Sequence, residues 1–128
     1  MTEELITFET AKLAKEKGFD TSYEFYDLKG NIEPWGMVGG YDKCHEAQYC
    51  APTQSLLQRW LREEHSIHVM CLINGFIGKN KKIAYSYTLC KDDRMHEYSN
   101  LNFINNNVKF SIYEEALEEG LYQALKLI

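Results

Sequence analysis

The sequence predicts an α+β fold, a small antiparallel sheet with three helices packed on one face. Three observations predict it. Three stretches carry apolar residues at helical spacing, with capping signals at their ends. Two strand-length stretches, one almost wholly apolar and one alternating, flank a glycine- and lysine-rich turn. No internal repeat and no linker divides the 128 residues, so residues 1–128 read as a single α+β domain.

The first helix is expected from Phe8 to Lys17. Thr7 is placed to cap its start, Gly18 stands where a left-handed residue closes a helix, and Phe19 can supply the apolar contact that follows. Phe8, Ala11 and Ala14 form its inward stripe. Thr21 to Leu28 and Ile32 to Trp35, joined by Lys29-Gly30-Asn31, read as a short hairpin. Residues 36–51 show no dominant period and read as a long loop with room for a short strand.

Pro52-Thr53 opens a second helix that runs to about Glu64, with Leu56, Leu57, Trp60 and Leu61 on one stripe. Ile67 to Ile73 is a strand whose two faces are both mostly apolar, which predicts a central place in the sheet. Asn74-Gly75 and Gly78 to Lys82 are read as turns. Lys82 to Cys90 returns as the antiparallel partner, with Ile83, Tyr85, Tyr87 and Leu89 on one face. Leu101 and Phe103 mark a further short strand in the polar stretch 91–107. The last helix spans Ile112 to about Leu127, with Ser111 and Glu114 in capping-box spacing and an apolar face of Ala116, Leu117, Gly120, Leu121, Ala124 and Leu125. Gly120 in mid-helix costs about 1 kcal/mol relative to Ala, which predicts close packing there. The expected core is Trp60, Leu57, Leu61, Leu117, Leu121 and Leu125.

Composition narrows the function classes. Hydrophobic residues are 45% and charged residues 26%, near globular averages, so the chain can fold without a metal or a disulfide. Fourteen basic against nineteen acidic residues give a net charge of −5, which argues against broad nucleic-acid binding. The longest apolar run, Val69 to Ile73, is too short to cross a bilayer, so no membrane is expected. The acidic start shows no leader pattern, and Cys44, Cys50, Cys71 and Cys90 then read as reduced thiols in the cytoplasm.

Three stretches carry a resemblance: Ile6 through Phe19, Ala51 through Val69, and Tyr113 through Ile128. They look like a group of small uncharacterised proteins of Bacteroidetes genomes, their phages and mobile elements. The resemblance covers about two-fifths of the chain. It implies an intact fold and a cytoplasmic location, and it brings no activity, substrate or catalytic residue.

Four residues have the chemistry of a metal or thiol centre. Cys44 and Cys50 with His65 and His68 supply two thiols and two imidazoles, the donor set of a tetrahedral zinc site, but the spacing Cys-x5-Cys and His-x2-His matches no compact zinc motif. Cys44 or Cys50 beside one of these histidines is also the raw material of a cysteine nucleophile. The plain reading is a small packed thiol and a histidine at a helix end. Gly36-x-x-Gly39-Gly40 lacks the dinucleotide-binding spacing, and no Walker-type motif occurs.

Lys79, Lys81 and Lys82, with Phe76, Tyr85 and Tyr87 close by, form the one basic and aromatic cluster. Such a hairpin tip can contact phosphates or stack bases, but lysines there also simply keep a turn soluble. The function expected is that of a non-enzymatic accessory or protein-interaction module, with no cofactor and with a protein partner or a homo-oligomer. Trp35, Tyr41, Lys79, Lys81 and Lys82 are the interaction candidates. The alternative is a metal- or thiol-dependent enzyme or sensor centred on Cys44, Cys50, His65 and His68.

Overall fold

The computed structural model describes residues 4–22, 24–33, 42–43, 48–93, 100–105 and 108–128. Trp35, Tyr41, Cys44, the glycines of 36–40 and Asn106 and Asn107 lie outside the described residues. Three helices and antiparallel strands make the α+β arrangement that the pattern predicts. The chain divides into two compact units, Met1–Leu57 and Gln58–Ile128, and the division falls inside the second helix.

In the first unit, α1 spans Phe8–Glu16. The Thr7 hydroxyl accepts the Thr10 N–H at 3.4 Å, the cap expected of it. At the other end Gly18 takes φ +103°, the Gly18 N–H donates to Lys15 O at 3.1 Å and the Phe19 N–H to Ala14 O at 2.9 Å. This pair of backward bonds satisfies carbonyls that the helix leaves open, and only a residue tolerant of positive φ makes it cheaply. Thr10, Ala11, Ala14 and Phe19 are buried.

Four two-residue strands follow: β1 Thr21–Ser22, β2 Phe25–Tyr26, β3 Asp42–Lys43 and β4 Tyr49–Cys50. β1 pairs with β3 and β2 with β4, both antiparallel. Among the described residues the expected 21–35 hairpin is reduced to one isolated bridge, Tyr26↔Ile32, because β1 and β2 take their strand partners from β3 and β4, within the stretch expected to be a loop. Its turn is organised by the Asp27 carboxylate, which accepts the Lys29 and Asn31 N–H groups at 2.8 and 3.0 Å. The Asn31 amide holds that carboxyl below its ordinary value, against a smaller desolvation effect. Within this unit α1 packs against β4, a strand of a two-stranded sheet.

α2 spans Gln54–His65, and the Thr53 hydroxyl accepts the Leu56 N–H at its start. Leu57 and Leu61 are fully buried. Trp60 is not the core residue expected: it is half-buried at the margin of the stripe, its ring 4.6 Å from that of His65.

The second unit is built on β5 Ile67–Ile77, β6 Lys82–Asp93 and β7 Asn100–Asn105, in the order β5-β6-β7. The antiparallel hairpin and the strand around Leu101 and Phe103 are as expected. The expected central strand is not: β6 is the middle strand and β5 lies at an edge of the described sheet. Its two apolar faces reflect exposure of Leu72 and Ile73 rather than burial on both sides. Asn74-Gly75 is not a turn either. Ile73 pairs with Tyr85 and Phe76 with Ile83, so β5 uses one residue more than β6 and bulges there, with Gly75 at φ +71°.

α3 spans Tyr113–Leu125 and packs on β5 and β6. Its N-cap is Ile112 and no side chain caps it, so the expected Ser111–Glu114 capping box does not form: the helix starts one residue later than that box requires. Ala116, Leu117, Gly120, Leu121, Ala124 and Leu125 are buried, as their spacing predicts. A Cβ on Gly120 would lie 2.9 Å from Val69 Cγ1 and 3.0 Å from Tyr87 Cβ. The close approach predicted from that glycine is therefore made, against side chains rather than backbone.

Candidate functional site

Cross-strand pairs of an antiparallel ladder share a face, so the register sorts the hairpin residues. Val69↔Leu89, Cys71↔Tyr87, Ile73↔Tyr85 and Phe76↔Ile83 point one way. Gly120 rests on Val69 and Tyr87, so this is the face that α3 covers. The bulge preserves that sorting: simple alternation from Ile73 would place Ile77, not Phe76, on the α3 side.

The helix covers only half of this face. Val69, Tyr87 and Leu89 are buried, while Ile73 is 70%, Phe76 61% and Ile83 45% exposed. The transition falls at the start of α3. There the Tyr113 ring packs edge-on against Tyr85 at 5.6 Å, and the Cys71 thiol donates to Tyr113 O at 3.6 Å. Beyond that contact the apolar face continues alone to the turn at Gly78, where the Lys81 N–H closes onto Gly78 O.

Charge is distributed unevenly around this strip. Lys79, Lys81 and Lys82 stand exposed at the turn, and Glu114 and Glu115 stand exposed in the first turn of α3. Lys109 reaches over the bulge to donate to Phe76 O at 3.3 Å. The lysine and aromatic cluster read from the sequence is thus partly assembled. Phe76 and the lysines are at the surface, whereas Tyr87 is buried and offers no stacking face.

The metal and thiol candidates fare differently. Cys50 is disulfide-bonded, which corrects the expectation of four reduced thiols and leaves its sulfur neither a thiolate nor a free ligand. With Cys50 oxidised, the cysteines no longer point to a reducing compartment. Cys71 and Cys90 are free thiols. Burial, with a smaller push from the Glu114 carboxylate, raises the Cys71 thiol to about 11, so it stays protonated near neutral pH. His65 packs edge-on against Trp60, and His68 stands opposite Cys90 on the ladder. Among the described residues no three His, Cys, Asp or Glu side chains gather as a metal would require.

A shallow cleft in the first unit is lined by Lys12, Lys15, Glu16 and Tyr49. Its cations are engaged: Lys15 donates to Gln48 O at 2.6 Å and lies 5.0 Å from the Tyr49 ring centre, and Lys12 pairs with Glu9 at 2.9 Å. No described helix is long and apolar enough to cross a membrane. Comparison with family models, curated proteins and solved structures finds no match for this chain.

Ile73, Ile83, Tyr113, Glu114 and Glu115 were not singled out as functional by sequence reasoning. Alternation gives the face to which Ile83 belongs. How far along that face a helix reaches has no local signature.

Proposed function

We propose that this protein is a non-enzymatic accessory module that works by protein contact, made through the apolar far half of the β5–β6 hairpin. The observation that carries this reading is the exposure of Ile73 and Phe76 side by side on a face whose other half is core. Leaving such a side chain in water forfeits about 1.5–3 kcal/mol relative to burying it. A contact that covers the strip recovers that energy, and a contiguous apolar surface of this kind marks interaction sites. On the likeness of its three helical stretches alone, we further propose a relation to the small uncharacterised proteins of Bacteroidetes genomes, their phages and mobile elements.

A metal- or thiol-centred activity has less support, since Cys50 is disulfide-bonded and Cys71 holds its proton. The test is affinity capture from the native cell with the wild-type chain and with an Ile73→Thr/Phe76→Thr variant. Threonine keeps the β-branched preference for a strand while removing apolar area. A stoichiometric protein held by the wild type and lost by the variant is the expected result. The same proteins held by both would refute the hairpin as the contact surface.

A further inference from the structure

From the order of charges along the hairpin, we infer that the partner of this strip is a second copy of the same chain, docked by a two-fold axis through the Phe76–Ile83 pair. The inference rests on the reading of the hairpin as a contact surface and names its occupant. Along the α3 face the strip runs from acid to apolar to base: Glu114 and Glu115 beside Tyr113, then the exposed apolar middle, then Lys79 and Lys81 of the turn, while Lys82 pairs with Ile77 and belongs to the other face.

A two-fold interface requires a surface complementary to its own rotated copy. A uniformly basic or uniformly acidic rim fails that requirement, because rotation brings like charges together. This strip meets it. Rotating the face about its apolar middle lays the Lys79–Lys82 turn of each chain over the first α3 turn of the other. It also places Phe76 and Ile83 against their own copies, where water is excluded from both. The lysines additionally meet the acids near the positive end of α3, so it is the carboxylates, not the helix end, that attract them.

Sedimentation of the wild-type chain across a concentration series should show its mass rising from one 15.0 kDa chain toward two. The midpoint should move to higher concentration as salt screens the exposed pairs. Phe76→Thr should weaken association at least tenfold. A variant with Lys79, Lys81 and Lys82 changed to Glu, and another with Glu114 and Glu115 changed to Lys, should each remain single chains. Mixed in equal amounts, these two should form a heterodimer, since each tip then faces a rim of opposite charge.

Carbodiimide treatment of mixed light and heavy-isotope wild-type chains gives a readout that needs no variant. It should join a turn lysine of one chain to Glu114 or Glu115 of the other. A wild type that stays at single-chain mass throughout overturns the inference, as does a mixture of well-folded reversed variants that fails to associate. If that single-chain wild type still retains a Phe76-dependent protein in native capture, self-docking fails while the contact surface stands.

Discussion

The two halves of the β5–β6 hairpin are written in the same residue types and end in opposite surroundings. Near α3, Val69, Tyr87 and Leu89 lie in the core; toward the turn, Ile73, Phe76 and Ile83 face water on the same side of the same strands. The bulge at Asn74-Gly75 keeps Phe76 on that side, so strand geometry does not turn the outer half away from the helix. The difference is made by a third element, the start of α3 at Tyr113, whose ring closes the covered part over Tyr85. Strand pattern therefore specifies a face, and the reach of the neighbouring helix specifies how much of that face is core.

The largest effect that would sharpen this contrast is at Leu121, fully buried on the helix side. Leu121→Ala should cost about 2–5 kcal/mol in a urea melt, with the spread set by how far the site collapses. Gly120→Ala comes next. Helix preference favours the change by about 1 kcal/mol, but the new Cβ would press on Val69 and Tyr87 at 2.9 and 3.0 Å. Overpacking costs about 1–3 kcal/mol, so a net loss of stability is expected. A stabilised Gly120→Ala would break the claim that this half is tightly packed.

In the uncovered half, Phe76→Thr should shift the same urea melt by no more than about 0.5 kcal/mol at concentrations where the protein is a single chain. A loss as large as that of Leu121→Ala would show that the strip is core after all. Cys71 sits at the boundary and gives the smallest, most local readout. Its raised value means that the folded state holds a proton that the unfolded thiol releases above its ordinary 9.0. The stabilising contribution is present below pH 9 and is lost as pH rises toward about 11. Iodoacetamide labelling of the Cys71 peptide, read by mass, should be slow near pH 8 and climb toward pH 11. Rapid labelling at neutral pH would contradict that protonation state.

Much of the fold is legible because its signals are local. Thr7 and Gly18 bracket α1 within one turn of each end, and the stripe from Ala116 to Leu125 is repeated often enough to fix the buried face of α3. The strand errors share a cause, which is that the deciding residues lie on another strand. Asn74-Gly75 has the composition of a hairpin turn and is a bulge only because Ala84 on the opposite strand is outnumbered. Ile67–Ile73 reads as central from its apolar faces, but strand order depends on where β7 joins. Of the interaction strip, the lysines and Phe76 were readable as a cluster, and the acidic end at Glu114 and Glu115 reads locally as nothing more than helix polarity.

The bulge at Asn74-Gly75 also bears on how readily further chains can add to β5, an edge strand of the described sheet. A long, apolar edge strand is a template on which further chains can stack, provided it presents a flat and regular run of backbone groups. One surplus residue breaks that regularity and twists the strand where its side chains are most exposed. The Gln58 amide does the same service at the other end by occupying Val69 O at 2.6 Å. Specific docking across the face and resistance to growth along the edge are thus separable, and deletion of Asn74 should leave Phe76 facing as it does while making the protein more prone to aggregate.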